Sequence, residues 1–291
     1  MITSVPNVSE GRVPRRIADM AAACSVAHVL DVDPGVDAHR SVLTLTGPHE
    51  RLADATFTLA RWAVEHIDLR HHRGIHVRMG AIDVIPFVPM GGETTVCHGL
   101  ADAVSQRIAE ELRLPVYRYG AGARSLRSVR RGGFEELAST MAQIPPDWGP
   151  PTPHPTAGAV AVGVRPVLVA FNVSLDTTDV LLARKVARAV RASNGGLPAV
   201  MAIGWYCPSY GCAQVSMNLT DWTVTPPHVA FEAVRSLAPV RGSELVGMMP
   251  TGALEAAARH WGTDLAGAAA TLNLSLHKPF DPARKLIAPA P

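Results

Sequence analysis

Short apolar runs rich in Val and Ile alternate along this chain with stretches whose apolar residues recur every three or four positions. The runs at 26–32, 41–46, 83–88 and 115–119, and again at 166–175, 197–206 and 213–219, have strand length and strand composition. Between them, Leu52, Ala55, Leu59, Trp62, Ala63 and Ile67 share one helical face, and so do Val96, Leu100, Val104, Ile108 and Leu112. Strands and helices interleaved in both halves demand layered α/β architecture. Turn residues sit close between several strands, so mixed or antiparallel sheets are expected rather than a doubly wound one.

Local signals sharpen the elements. A first strand is expected over 2–8, and Pro14 opens a helix, as proline does in a first turn. Asp33-Pro-Gly-Val-Asp37 reads as a turn. Thr94 or Thr95 is the expected cap of the long helix that follows the strand at 83–88. The segment 121–131 reads as a basic linker and 134–141 as a short helix. In the second half, Asp176 is the expected start of a helix stopping at Gly195-Gly196, and Pro226-Pro227 of another. A short strand at 245–249, a helix at 251–261 and a loose tail from Pro279 complete the reading.

The 291 residues are 47% hydrophobic and 18% charged, enough apolar material for a substantial core. A net charge of +2 and 5% aromatic residues give no basis for nucleic-acid binding. No apolar run approaches the roughly 20 residues that span a bilayer, and polar residues interrupt the N-terminus where a signal region would lie. The four cysteines (24, 97, 207, 212) form no Cys-x-x-Cys pair. Cys207 and Cys212 permit a metal or disulfide pairing, but the spacing alone is weak evidence, and a reduced, cytoplasmic protein is expected. The nucleotide-binding Gly-x-Gly-x-x-Gly and Gly-x-x-x-x-Gly-Lys-Ser/Thr patterns are missing from the sequence.

Two stretches stand out chemically. Residues 68–83, Asp-Leu-Arg-His-His-Arg-Gly-Ile-His-Val-Arg-Met-Gly-Ala-Ile-Asp, join a helix pattern to a strand with three His, three Arg and two Gly. Such a run is poor core material, reading either as a solvated basic loop or as a site at a strand end. A metal held by His72 and His76 would need a helix between them, and Gly74 argues against one. Residues 144–158 hold six prolines, which exclude helix and central strand; composition favours a semi-rigid linker, the alternative being a rigid wall of a cleft.

Colinear motifs then resemble the glutamate formiminotransferase family: Val-Pro-Asn-Val-Ser-Glu-Gly at 5–11, Leu-Asp-Val-Asp at 30–33, His-Arg-Ser-Val at 39–42 and His-Val-Arg-Met-Gly-Ala at 76–81. Pro-Thr-Ala-Gly-Ala at 155–159, Ala-Phe-Asn at 170–172, Gly-Trp-Tyr at 204–206, Ala-Gln-Val-Ser at 213–216 and Gly-Ser-Glu-Leu-Val-Gly at 242–247 continue the match. The resemblance implies an α+β fold of two similar subdomains, 1–163 and 164–291, each a mixed sheet carrying helices, with a ligand cleft between them. It implies transfer of a formimino group from N-formiminoglutamate to N5 of tetrahydrofolate as co-substrate, in a homodimer acting on small molecules, with no membrane or nucleic-acid partner. No cyclodeaminase domain of the kind found in bifunctional relatives follows, so a monofunctional enzyme is expected.

By the same resemblance the catalytic histidine falls on His76 and a supporting carboxylate on Asp33. The folate loop falls on Gly149, Pro150, Pro151, Thr152, Pro153, His154, Pro155, Thr156, Ala157 and Gly158, which favours the cleft wall over the linker. A histidine near its ordinary pKa of about 6.5 suits the proton exchange between N5 and the leaving amine, and Asp33 suits the cationic amidinium. Arg78 is expected either on a substrate carboxylate or in a salt bridge to Asp83 or Asp68. The chain departs from the family pattern at Ile75 and Val77, where Glu and Pro are usual, at Gly133 for Glu and at Ser174 for Asn. A divergent member with another donor or acceptor amine, a folate-binding protein without turnover and a metal-dependent hydrolase are the alternative readings.

Overall fold

The computed structural model describes residues 1–120 and 122–288. The chain forms two compact units, one of Met1–Arg165 and one beginning at Pro166.

The first unit runs β1 (Ile2–Ser4), β2 (Asn7–Val8), α1 (Pro14–Ala23), β3 (His28–Gly35), β4 (Arg40–Thr46), α2 (His49–His66), β5 (Ile82–Pro89), α3 (Thr94–Glu111), β6 (Val116–Gly120), α4 (Leu126–Val129), α5 (Leu137–Gln143) and β7 (Val160–Val164). The expected first strand is two short ones, because proline at position 6 cannot donate to a ladder. β1 and β2 both lie between β4 and β5. β3 flanks β4, and it continues to Gly35 where a turn was expected, since its pairing with β4 runs on through Pro34. β7 sits between β5 and β6, parallel to both. The sheet is therefore mixed.

Helices α1–α3 bury one face of this sheet. Leu52, Leu59, Val104 and Ile108 pack there with Leu43, Leu45, Ile85, Phe87 and Val162. On the opposite face Val129, Leu137 and Met141 cover Val84, Ala161, Tyr117 and Tyr119. Strand register continues that second face away from β6: the row Tyr117, Ala161, Val84, Asn7, Val42 and Asp33 crosses the whole sheet. Apolar side chains thus occupy one end of the row, and the polar Asn7 and Asp33 lie toward the other, on either side of Val42.

The expected Thr cap of α3 is not formed. Glu93 precedes the helix without a side-chain capping bond, its carboxylate pairing instead with the N-terminal ammonium at 2.8 Å. The basic linker contains α4, which Ser125 caps; Ala121 lies outside the described residues.

The second unit runs β8 (Val169–Leu175), α6 (Val180–Val190), β9 (Val200–Cys207), β10 (Cys212–Leu219), α7 (Pro227–Arg235), β11 (Val240–Val246), β12 (Met249–Pro250), α8 (Thr251–Trp261), α9 (Leu265–Thr271), α10 (Pro282–Lys285) and β13 (Leu286–Ile287). Asp179, rather than Asp176, caps α6 by accepting from the Leu181 and Leu182 N–H groups. The four-stranded sheet, ordered β11-β8-β10-β9, is antiparallel throughout, whereas a mixed sheet was expected in both subdomains. A tight turn at 208–211 joins β9 to β10, and such a turn can only return a strand antiparallel. The expected short strand at 245–249 is the end of β11 followed by β12, and part of the expected loose tail is ordered as α10 and β13. Residues 289–291 lie outside the described residues. Cys207 and Cys212 face each other across the β9–β10 pair, and both are buried thiols. Among the described residues no helix is long and apolar enough to cross a membrane.

Candidate active site

The stretch 67–81 leaves α2 as irregular chain, and its turns are tied down from both sides. The Leu69 N–H donates to the Thr156 carbonyl, and the Ala81 N–H to the Ala157 carbonyl. Gly80 pairs with Gly158 in an isolated antiparallel bridge. A Cβ on Gly158 would lie 2.0 Å from the Met79 carbonyl oxygen, and its φ of +71° also demands glycine. The proline-rich loop therefore lies directly against the His/Arg stretch, within one unit. Its other end is fixed by the Val116 N–H donating to the Trp148 carbonyl, and His154 Nδ1 accepts from the Ala157 N–H inside the loop. Gly149, Pro151, Thr152 and Pro155 are exposed, Pro150, Pro153, His154 and Thr156 half-buried, and Ala157 and Gly158 buried.

His76 Nδ1 stands 2.6 Å from the Val77 carbonyl oxygen, so Nδ1 carries the proton of the neutral ring and the basic lone pair is on Nε2. The same carbonyl accepts from Arg40 Nη2 at 3.0 Å. Arg40 Nη2 also meets the carboxylate of the fully buried Asp83 at 2.5 Å, and Arg130 reaches that carboxylate at 3.0 Å. Burial opposes the Asp83 charge, but Arg130 and Arg40 outweigh it and hold the carboxyl below its usual range. Burial first, then the positive charges of Arg40 and Arg130, push the His76 pKa down to about 3. A ring near 6.5 was expected; burial, with the two guanidiniums adding to it, favours the neutral form instead.

Arg78 takes neither partner anticipated for it within the protein. It makes a bidentate pair with Glu135, both contacts 2.7 Å, and donates through Nε to His72 Nδ1 at 3.1 Å. Asp83 is occupied by Arg40 and Arg130, and Asp68 by Arg70. The Arg78 fork is thus committed to ordering the loop. His72 donates from Nε2 to the His39 carbonyl and stacks on the His39 ring at 4.2 Å. Burial pushes its pKa down to about 4. His39 has a φ of 49° and faces Glu10 at 3.4 Å. Burial raises the Glu10 pKa, but hydrogen bonds from His39 and from the Arg12 and Val13 N–H groups prevail and hold it at about 2. A polar chain thus runs Glu10, His39, His72, Arg78, Glu135.

Asp33 is 2% exposed and shares the polar end of the sheet row with Asn7. Arg40, opposite Gly35 two residues along β3, donates to Asn7 Oδ1 at 3.4 Å. Asn7, Arg40 and Arg130 went unassigned in the sequence reading. Asn7 and Arg40 lie within the N-terminal motifs, but Asp83, the partner that Arg40 and Arg130 share, lies 43 residues beyond Arg40 and is legible only once the sheet is formed.

Residues 1–165 match the sequence model of the formiminotransferase domain, N-terminal subdomain, and residues 170–287 that of the formiminotransferase domain. The chain belongs to the formiminotransferase family. Glutamate formimidoyltransferase of Streptococcus pyogenes serotype M1 is 39% identical over 270 residues, covering 87% of this chain and 90% of that protein. The enzyme of the same name from Thermoplasma acidophilum is 37% identical over 279 residues, covering 90% and 92%. Formimidoyltransferase-cyclodeaminase of Sus scrofa is 40% identical over 276 residues, and the match spans 51% of its length.

The second unit presents a polar sheet face of its own. Ser174 bonds to His277 Nε2 at 2.7 Å and accepts from Gln214, while Glu244 accepts from Tyr210 at 2.9 Å and pairs with Lys278 at 3.1 Å. Ser174 is therefore part of a side-chain hydrogen-bond network with His277 and Gln214.

Proposed function

We propose that this formiminotransferase moves a formimino group from N-formiminoglutamate to N5 of tetrahydrofolate, with His76 as the proton carrier. The observation that carries this reading is the neutral His76 ring, held by Val77 with its basic nitrogen at Nε2, in a stretch whose Gly80 bridges Gly158 of the 149–158 loop. N5 attacks the amidinium carbon, forming a C–N bond and an adduct whose N5 is a strongly acidic ammonium. A weak base suffices to take that proton, and a protonated His76 is in turn a strong acid. It delivers the proton to the glutamate nitrogen, the C–N bond to that nitrogen breaks, and glutamate departs as the amine. General acid–base help of this kind contributes roughly 10²–10⁴-fold, the remainder coming from positioning.

Asp33 supplies the carboxylate for the cationic amidinium, and residues 149–158 form the wall against which the folate lies. The role of Arg78 is to hold the loop through Glu135 and His72 rather than to touch substrate.

The test is turnover of tetrahydrofolate and N-formiminoglutamate, read by acid conversion of the product to methenyl-tetrahydrofolate. The wild-type protein should turn over, and His76→Ala should lose at least about 100-fold in kcat while binding tetrahydrofolate normally. Full activity in His76→Ala would remove the histidine from the mechanism.

One observation favours a second reading. Ile75 and Val77, exposed by 37% and 53%, flank His76, and Gly133 brings no side chain to the same place. A donor less polar than formiminoglutamate would suit these surfaces, and tetrahydrofolate binding without turnover of formiminoglutamate would select that reading.

A further inference from the structure

Two guanidiniums, Arg40 and Arg130, converge on the single carboxylate of Asp83. The two arginines differ in how far the protein satisfies them. Arg40 has donors on Asp83, the Val77 carbonyl and Asn7. Arg130 makes one contact, to Asp83, and its buried Nε–H finds no acceptor among the described residues. A buried donor left unmet is destabilising, and more so on a charged group such as a guanidinium. With Nε unbonded, the Asp83 contact is what holds the fork. The side chain keeps 15% exposure, so a rotation about its last torsion presents two parallel N–H groups to a ligand.

The position of Arg130 matters as much as its deficit. It ends α4, and the next turn is locked onto the His76 segment by the Phe134 N–H donating to the Arg78 carbonyl at 2.8 Å. A Cβ at Gly133 would stand 3.4 Å from Val77 Cγ1. The Val77 carbonyl joins His76 to Arg40, and Arg40 and Arg130 share Asp83. The buried Tyr119 hydroxyl lies in the field of both Arg165 and Arg130.

We propose that Arg130 receives a substrate carboxylate beside His76, the anion-binding role that Arg78 cannot fill while it is paired with Glu135. This inference rests on the reading of the site as a formiminotransferase centre and names how that site recognises its substrate. Carboxylates are offered by two ligands, the glutamyl group of the donor and the glutamyl tail of the folate, and the planar fork suits either. A carboxylate there also offsets the charges that hold His76 neutral, so binding would make the imidazole a better proton acceptor at the moment the donor arrives.

The test is calorimetric binding of three probes to the wild-type chain, Arg130→Gln and Arg130→Lys: L-glutamate, tetrahydrofolate, and 6-methyltetrahydropterin, which has no carboxylate. With the donor as source, Arg130→Gln should weaken L-glutamate by about tenfold or more and leave both pterins unchanged. Arg130→Lys, which keeps the charge opposite Asp83, should recover part of the loss. Weakening of tetrahydrofolate alone, with L-glutamate and 6-methyltetrahydropterin unaffected, supports a carboxylate at Arg130 and assigns it to the folate tail. Wild-type affinities for all three probes would overturn the inference. An equal loss for every probe in both variants would overturn it too, marking Arg130 as scaffold around Asp83. Arginine-dependent L-glutamate binding in a protein that fails the turnover assay would sink the functional reading and leave this one standing. Turnover with L-glutamate affinity indifferent to Arg130 and no effect on tetrahydrofolate would do the reverse.

Discussion

At the scale of single residues, the state of His76 is set by its neighbours more than by its own chemistry. Burial and the Arg40 and Arg130 charges all favour the neutral ring, against a weaker pull from Asp83 and the Val77 carbonyl. A ring titration followed by nuclear magnetic resonance in the free protein should therefore show no His76 midpoint near 6.5. A midpoint between about 6 and 7 would mean that solvent relieves the two guanidiniums. Arg78 carries the opposite lesson. Its fork suits a substrate carboxylate by type, but long-range pairing with Glu135, 57 residues away, has already used it. Nothing in the spacing of residues 68–83 reveals that partner, because it depends on where the turn after α4 comes to lie.

At the scale of elements, the sheet row from Tyr117 to Asp33 explains why one face carries both core and chemistry. Helix periodicity made α2 and α3 legible, and the proline starts made α1 and α7 legible. β7 was not. It is five fully buried residues, Val-Ala-Val-Gly-Val, lying between the proline-rich loop and Arg165-Pro166. A short run buried on both faces shows no alternation, and it was absorbed into the flanking segments. The 149–158 loop was legible as irregular, but only the bridge between Gly80 and Gly158 reveals it as a wall of the site. Gly158→Ala tests that bridge. The added Cβ meets the Met79 carbonyl at 2.0 Å in a left-handed conformation, so urea unfolding should show a loss of about 2 kcal/mol or more. Tetrahydrofolate affinity should fall with it, and unchanged stability and affinity would show that the bridge is dispensable.

At the scale of the whole molecule, several buried polar groups make stability depend on acid in one direction. His72, His76 and Glu10 all have folded-state pKa values below their ordinary ones, about 4, 3 and 2. The folded protein then binds fewer protons than the unfolded chain, so stability is complete above about pH 6.5 and is lost as pH falls. The histidines act first, between about 6.5 and 4 for His72 and on to about 3 for His76, and Glu10 acts below about 4.5. Urea midpoints should fall from pH 7 to pH 5, and His72→Gln, which keeps a donor and an acceptor but does not titrate, should flatten that slope by about 1–3 kcal/mol. A slope unchanged by the substitution would place the acid sensitivity elsewhere. The position of β7 also carries a consequence in time. Among the described residues β6 reaches the rest of its sheet only through β7, and the chain leading toward β7 is the 149–158 loop. A nascent or refolding chain cannot close this sheet before that loop has crossed the His76 segment. In stopped-flow refolding, the ability to capture tetrahydrofolate should appear in the same kinetic phase as burial of Trp148, so that no stage exists in which the scaffold is finished and the pocket is still waiting to be made.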